Sequence, residues 1–280
     1  MSNPTNSDLG GSSRQSLASA RTALDAMVGS GSASDVAKFA TELFSVLKTL
    51  DSSTPLRRAL TDNSREAKDK AALISQLFAK DFSSQVVELL SKVASLRWSS
   101  PSDLADALEH LAIESAASAA NLASELDRLE EELFSFSRLV SSNPELRQTL
   151  NSAKYPGEGK RNLINSLLGS KVTASTTRMI SELVTGLRGR NIESTITFYS
   201  AATAARRNRV IALVRSAISL TENQKEKLVK TLTEKIGQPV RLNVEVDPEV
   251  IGGISIRFAD ELIDATIVNR LADAGRALAG

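Results

Sequence analysis

Apolar side chains recur every three or four positions through most of the first 205 residues, a spacing that places them on one face of a helix. Leu17 and Leu24 follow this pattern before a Gly-Ser break in the chain. Ser34, Ser64 and Ser83 each precede a similar pattern, and a serine hydroxyl there can accept a backbone N–H of the first helical turn. The patterns predict that this part of the chain is wholly helical.

The interval from Pro101 to Ser142 has no glycine, and no proline after its first residue. Its apolar residues keep a helical period, which predicts one amphipathic helix of about 40 residues, roughly 60 Å long at 1.5 Å per residue. A helix of this length is unusual in a compact domain. We therefore expect a bend in the stretch of small residues at 116–121.

An internal repeat is the most informative feature of organisation in the sequence. Residues 42–78 align with residues 132–168 at a constant offset of 90 positions, without gaps. The positions identical in both copies include Glu42, Leu43, Phe44, Leu56, Arg57, Leu60, Lys70, Leu73, Ile74 and Leu77. A shared helical period repeats only the class of apolar residue, so the match of Arg57 with Arg147 indicates a duplicated helical bundle. In this register, residues 103–118 close the first copy and open the second.

The character of the pattern changes after Arg206. Apolar residues alternate at Val210, Ala212 and Val214, which predicts a strand. A helix with a Thr-x-x-Gln capping box follows, and the alternating stretches VRLNVEVD and ISIRFAD then predict two more strands. A turn at Asp260-Glu261 is expected to lead into a final helix.

These patterns predict a mainly α chain, in which two tandem homologous helical bundles share a long helix and precede a small α+β (β-α-β-β-α) C-terminal domain. The predicted units are a lead at 1–12, an extra helical bundle at 13–110, a second bundle at 103–206 and the α+β domain at 207–280. The lead is expected to be disordered because it is polar and has little to bury.

Composition and charge exclude several classes of function. The 34 basic and 33 acidic residues leave a net charge of +1, which argues against a dedicated nucleic-acid binder. The chain has no cysteine and one histidine, so disulfides, thiolate metal sites and multi-histidine metal sites are excluded. There is neither a run of about 20 apolar residues nor an N-terminus typical of a secretory signal. We expect no metal and no cofactor, and a protein that is cytoplasmic or reaches a membrane only through partners.

Four polar motifs could carry chemistry, and each has a simpler structural interpretation. Residues 157–161 resemble a phosphate-binding loop but lack its first glycine and its Ser or Thr after the lysine, so we interpret them as a loop between helices. His110 has no neighbouring nucleophile and is interpreted as a packed or solvated helical residue. The acidic run 130–132 points in three directions on a helix and is interpreted as a solvated face. The basic cluster 206–209 complements a helix dipole, with an anionic partner surface as the alternative.

The C-terminal third of the chain and part of the second bundle carry the motifs of a known family. The C-terminal motif residues are Asp247, Ile251, Gly252, Gly253, Asp260, Ile263 and Asp264. The helical motif residues are Leu146, Arg147, Lys160, Leu163 and Ile164. In order and spacing these residues resemble the delta subunits of F-type ATP synthases, the oligomycin sensitivity conferral protein family. The resemblance covers residues 105–280, and the additional residues 1–104 resemble the long actinobacterial form.

The chain departs from the family at the last turn and in its extra length. Ala259 stands where the family usually has glycine, and Ala265-Thr266 stand where it often has Gly-Ser, although Thr266 can still cap the last helix. Gly252 and Gly253 are expected to allow a bend before the last predicted strand. The extra bundle is expected to stiffen the peripheral stalk of the ATP synthase, to which delta subunits belong, or to bind an additional helix from an alpha or b subunit of that complex.

The resemblance implies a role without catalysis. A delta subunit belongs to the peripheral stalk, or stator, which links the catalytic head to the b subunits so that rotation drives ATP synthesis. The resemblance implies that the helical bundles bind N-terminal helices of alpha subunits and that the C-terminal domain binds the C-terminal ends of b subunits. It also implies one copy per complex, no cofactor, no nucleic acid, and a peripheral position on the cytoplasmic face of the cell membrane. From the residues alone, a helical adaptor or a nucleic-acid-binding scaffold stays open as the alternative.

Overall fold

A computed structural model describes residues 9–28, 31–206, 210–236, 240–247, 253–258 and 261–266. Two compact units are present, a helical unit at residues 4–203 and a C-terminal unit at residues 204–280. Each unit has a hydrophobic core of its own. The mainly α class predicted from the sequence is confirmed, as is the change of character after residue 205.

The helical unit is built from consecutive helices joined by short connections. They are α1 (Gly11–Val28), α2 (Ala33–Ser52), α3 (Thr54–Thr61), α4 (Ala67–Phe78), α5 (Ser84–Ser95), α6 (Pro101–Leu122), α7 (Leu126–Ser142), α8 (Pro144–Asn151), α9 (Gly157–Leu168), α10 (Ala174–Thr185) and α11 (Ile192–Ala205). We call α1–α5 the first segment and α7–α11 the second segment. The predicted lead at 1–12 overlaps α1 at its last two residues, and residues 1–8 lie outside the described residues.

Predicted helix starts were partly wrong. Ser32, not Ser34, caps α2, because its hydroxyl accepts the Asp35 N–H. Ser64 bonds to the Asp62 carboxylate instead of capping α4. Ser83 does occupy the N-cap position of α5, but its hydroxyl bonds to another helix. Hydroxyls in runs of polar residues have several acceptors within reach, so the spacing alone did not select the cap.

The single long helix predicted over 101–142 is wrong. The chain breaks between α6 and α7, where Ser124 adopts a left-handed backbone with φ of 58°. The Glu125 N–H bonds to the Ala120 carbonyl and the Ser124 N–H to the Asn121 carbonyl, which is the Schellman pattern of a helix end. Glycine usually occupies the left-handed position, so a serine there gave no signal in the sequence. The break lies just beyond the stretch 116–121, where we expected a bend.

The two segments match in their helix limits. Helices α3, α4 and α5 begin and end 90 residues before α8, α9 and α10, and α2 ends 90 residues before α7 does. The order of buried and exposed positions over 71–80 is the same as over 161–170. α6 lies between the two segments in sequence and contacts α1, α2 and α3 of the first segment and α7 and α10 of the second.

The C-terminal unit is a four-stranded sheet with one helix among the described residues. Its elements are β1 (Val210–Ser216), α12 (Glu222–Ile236), β2 (Val240–Val246), β3 (Gly253–Phe258) and β4 (Glu261–Thr266), with strand order β2-β1-β3-β4. β1 and β2 are parallel, while β3 is antiparallel to both β1 and β4. Leu232 of α12 packs with Val214 and Ile256 in the core.

The expected β-α-β-β-α order missed one strand. β4 was not predicted because its two acidic residues were assigned to a turn and to the approach of the last helix. Thr266, expected to cap that helix, is the last residue of β4. The final helix falls within residues 267–280, which lie outside the described residues. The capping box of α12 is confirmed, since Thr221 and Gln224 bond reciprocally.

Candidate functional site between the two helical segments

A cleft of 270 Å³ lies where the two segments meet. Its walls come from α2 of the first segment and α9 and α10 of the second, and α6 contributes to its lining. The lining residues are Ala37, Ala40, Thr41, Phe44, Ala116, Ala119, Arg161, Asn165, Ser175, Thr177, Arg178, Met179, Ser181 and Glu182. Tight packing would normally fill such a space, and alanines on α2 and α6 leave it open because they carry a single methyl group.

The lining of the cleft is mostly apolar. Its apolar lining residues are four alanines with Phe44 and Met179, and the last two are almost fully buried. A groove of this kind suits the apolar face of a helix, which inserts one or two side chains. The lining contains no histidine or cysteine and no pair of carboxylates, so it offers no apparatus for acid–base or nucleophilic catalysis.

Charged side chains stand at the rim of the cleft and link the segments. The carboxylate of Glu182 on α10 is 2.7 Å from Lys48 on α2 and 3.6 Å from Arg161 on α9. Arg178 donates to Ser175 and is otherwise exposed at the rim. The rim therefore carries positive charge beside an apolar floor, a combination that favours a helix with acidic residues flanking its apolar face.

A group of buried charges lies on α6. Glu109 is fully buried and pairs with both Arg188 and Arg190. Arg188 also contacts Asp106 at 2.7 Å and Asp51 at 2.9 Å. Burial by itself would lower the pKa of Arg188, but Glu109, Asp106 and Asp51 raise that pKa above its usual value. These groups are paired with one another, so the cluster acts in structure and not as a ligand site.

His110 is buried beside this group and is uncharged. Its ring meets Phe198 edge-on at 4.7 Å, and the Arg190 guanidinium lies 4.5 Å from the same Phe198 ring. Burial and the positive charges of Arg21, Arg190 and Arg188 lower the pKa of His110 to about 3. The packed alternative predicted for His110 is therefore confirmed.

The helical motif residues predicted from the sequence stabilise the second segment. Lys160 is buried and its Nζ donates to the Leu150 carbonyl at 2.6 Å. Arg147 pairs with Glu193 at 3.3 Å. The apolar motif residues Leu146, Leu163 and Ile164 pack in the core. None of these five side chains lines the cleft.

Two interpretations of polar motifs were wrong. Residues 157–161 do not form a loop, because α9 begins at Gly157 and Lys160 turns inward from its first turn. The acidic run 130–132 is not wholly solvated, because Glu130 is buried and Glu132 accepts the Thr173 N–H at 2.9 Å. Both errors arise because helical periodicity does not show which polar side chain reaches a buried partner.

The pairing of β3 with β4 shows where part of the C-terminal motif lies. Gly253 opens β3 opposite Thr266, and the strands then pair Ile256 with Ile263 and Ser255 with Asp264. The bend expected at Gly252 and Gly253 stays a prediction. The motif residues Ile251, Gly252 and Asp260 and the basic residues Arg207 and Arg209 lie outside the described residues.

Sequence reasoning missed the contacts that join the segments. Nothing in the spacing of Asp51, Glu109 and Arg188 indicates that they meet. The one available signal was the Arg-Gly-Arg at 188–190, a pair of arginines at the end of a repeat unit. Among the described residues no group of three His, Cys, Asp or Glu side chains could hold a metal ion, and no helix is long and apolar enough to cross a membrane.

Comparison with protein families and curated proteins gives one consistent result. The family model of the ATP synthase delta (OSCP) subunit matches residues 105–278. The chain is 42% identical to the ATP synthase subunit delta of Streptomyces coelicolor over 98% of this chain and 99% of that protein. It is 38% identical to the same subunit of Thermobifida fusca over 96% of this chain and 99% of that protein. The alignments with these relatives therefore extend over nearly the whole chain, beyond the residues matched by the family model.

Among solved structures, a chain of the Toxoplasma gondii mitochondrial ATP synthase hexamer aligns with 60% of this chain and 97% of its own length. The identity is 14% and the TM-score is 0.37, a likeness too low to compare folds.

Proposed function

The chain belongs to the ATP synthase delta (OSCP) family, and from this premise we propose that its helical unit binds N-terminal helices of alpha subunits while its C-terminal unit binds the ends of b subunits. As a family member it is a non-catalytic subunit of the peripheral stalk of F-type ATP synthase and partners with other subunits of that complex. The proposal adds the two attachments, one copy per complex, and a peripheral position on the cytoplasmic face of the membrane.

The cleft is the observation that carries the alpha attachment. Its lining combines four alanines with the nearly buried Phe44 and Met179, and the small alanines leave room for an apolar side chain of a helix to enter. Arg161 and Arg178 stand beside this apolar surface. An amphipathic helix with leucine-like anchors and nearby acidic residues matches both the shape and the charge.

We also propose that the two segments arose by duplication of one bundle. Matched hydrogen bonds support this, since Glu42 accepts from the N–H and hydroxyl of Ser83, and Glu132 accepts from the same two groups of Thr173. Buried lysines also occupy matched positions, although Lys70 donates to the Ala94 carbonyl of α5 and Lys160 to the Leu150 carbonyl of α8. Helical period alone does not repeat the glutamate contacts and the buried lysines at one offset.

The extra segment is proposed to stiffen the stalk. α2 crosses onto the second segment through Lys48 and through Phe44, which stacks on Tyr199 at 6.3 Å. A stator must resist torque from the rotor, and a second bundle packed along the first adds bending resistance. The alternative, an additional helix bound by the extra bundle, is tested by the stoichiometry of peptide binding.

The alpha attachment can be tested with the full chain and synthetic peptides. Ala37→Trp fills the cleft from α2, and Ala72→Trp makes the same change at an exposed position of α4 as the control. We expect Ala37→Trp to weaken binding of an alpha N-terminal peptide at least about tenfold, a loss of about 1.4 kcal/mol. Ala72→Trp should bind like the original chain.

The outcome separates the two attachments. Binding of a b C-terminal peptide should be the same in both variants, because it is proposed to use the C-terminal unit. An Ala37→Trp chain that folds and binds the alpha peptide unchanged would remove the cleft from the proposal. A binding ratio of two alpha peptides per chain would favour an additional helix on the first segment.

A further inference from the structure

One arginine joins the two segments through three carboxylates. Arg188, in the connection between α10 and α11, contacts Asp51 at 2.9 Å, Asp106 at 2.7 Å and Glu109 at 2.7 Å. Asp51 belongs to the last turn of α2 in the first segment, whereas Asp106 and Glu109 lie on α6. The Arg188 guanidinium, itself largely buried, therefore bridges elements from both segments and the helix between them.

The backbone at this arginine is unusual. Arg188 has φ of 49°, and Gly189 follows with φ of 80°. A side-chain-bearing residue keeps the left-handed conformation only where its surroundings hold it there. The three carboxylates supply that constraint, because the guanidinium could not reach all of them if the connection relaxed.

The charge of Asp51 also calls for a partner. An acidic residue in the last turn of a helix lies at the negative end of the helix dipole, where its charge is unfavourable. Arg57 donates to the Leu50 and Asp51 carbonyls at this end of α2, and Arg188 adds a second positive charge that pairs with the Asp51 carboxylate itself. The fully buried Glu109 depends on the same guanidinium and on Arg190, since a buried charge without a partner is strongly disfavoured.

The first segment has the matching arginine without the matching contacts. Arg97, in the sequence Leu-Arg-Trp, aligns with Arg188 in Leu-Arg-Gly when one residue is inserted in the second segment, yet Arg97 is exposed and has no ion pair among the described residues. The positions on α1 that correspond to Asp106 and Glu109 are Ser16 and Ser19. The ion pairs of Arg188 with Asp51, Asp106 and Glu109 thus lie where the two segments meet. The first segment has no equivalent set of ion pairs at Arg97 among the described residues.

We propose that Arg188 is a clamp that holds the C-terminal end of α2 on α6, so that the first segment moves with the second as one body. Lys48 with Glu182 and Phe44 with Tyr199 provide further contacts along α2, but neither pair bridges three elements. The inference goes beyond the proposed function, because it concerns the helical unit alone and holds whichever partner binds the cleft.

Hydrogen exchange of the full chain, read by mass spectrometry, tests the clamp without any partner. The informative peptide is 46–53 at the end of α2, and the reference peptide is 157–168 in α9. We expect Arg188→Gln to accelerate exchange in 46–53 by about tenfold, the ratio that corresponds to about 1.4 kcal/mol of local stability, and to leave 157–168 unchanged. Arg188→Lys keeps the positive charge but loses the planar guanidinium that contacts three carboxylates at once, and should give an intermediate exchange rate in 46–53.

Arg97→Gln is the matched control and should change neither peptide. Equal exchange in 46–53 for Arg188→Gln and the original chain would overturn the clamp, as would an equal acceleration by Arg97→Gln. If Arg188→Gln unfolds the whole chain, Asp51→Asn decides, because it removes only the carboxylate from the first segment. Exchange in 46–53 that is about threefold faster in Asp51→Asn supports the clamp, and an unchanged rate contradicts it.

Discussion

The two helical segments are alike inside and different where they touch. Inside each, a glutamate accepts hydrogen bonds from the start of a matched helix, α5 in the first segment and α10 in the second, and a buried lysine donates to a carbonyl near the end of a helix, α5 or α8. At their contact, the correspondence of charge breaks down: Lys92 on α5 corresponds to Glu182 on α10 and pairs with its own neighbour Glu88 instead of crossing to another segment. Positions that carry the same type of residue in both segments stabilise each bundle internally. Positions where the residue type differs between the segments, such as Lys92 and Glu182, include those that join the two segments.

The largest effect is expected from pH at His110, which occupies the position of Ala20 in the repeat. Its pKa falls from 6.5 to about 3 on folding, mainly through burial. The unfolded chain therefore binds a proton that the folded chain excludes, and the free energy of unfolding falls by about 1.4 kcal/mol per unit as pH drops from 6.5 towards 3. His110→Leu should remove this part of the slope in urea unfolding curves. An identical slope for both chains would show that His110 is not excluded from protonation.

Next in size are the two buried lysines. Lys70→Met and Lys160→Met each leave a helix-end carbonyl without its charged donor, so each should lower the free energy of unfolding by about 2 kcal/mol. The comparison predicts nearly equal losses, which denaturation of the two variants measures. A lower free energy of unfolding in one variant alone would mean that only one of the two lysines stabilises its segment.

The paired glutamates should follow. Glu42→Gln and Glu132→Gln weaken the same two hydrogen bonds, to Ser83 and Thr173 respectively. Each substitution should cost about 1 kcal/mol, because the amide keeps one acceptor oxygen. Hydrogen exchange at the starts of α5 and α10 locates the effect. Should the loss appear away from these helix starts, the matched contacts would not be the cause.

The smallest effect is expected at the rim of the cleft, where the segments differ. Glu182→Gln breaks the pair with Lys48, which is half exposed, and should cost about 0.5 kcal/mol. Lys92→Gln removes an exposed pair within one helix and should cost less. The two values come from parallel urea titrations. A larger loss for Lys92→Gln would reverse the assignment of Glu182 to the joining of segments.

Periodicity was enough to predict helices through the first 205 residues and the change to a mixed C-terminal unit. It failed at Ser124, where a serine takes the conformation that glycine usually marks, and at β4, where acidic residues hid a strand. The cleft and the Arg188 group could not be predicted, because they depend on α2 of one copy lying across another. A pattern within one helix does not specify which distant helix will cover it.

Family residues predicted from the sequence describe stability better than binding. Lys160 and Ile164 are buried in the second segment, and none of the helical motif side chains lines the cleft. Buried residues of this kind stabilise the bundle and do not mark a contact surface. The cleft, in contrast, is lined by alanines that give no distinctive signal.

As a peripheral-stalk subunit, this chain is expected to couple the catalytic head to the stalk. Membranes stripped of their delta subunit can be supplied with the purified chain, and proton pumping driven by ATP hydrolysis can be followed with a pH-sensitive dye. We predict that the original chain restores the rebinding of the catalytic head and the pumping, and that Ala37→Trp restores both less well than Ala72→Trp. Head rebinding and pumping at the same level with and without the chain would contradict the claim.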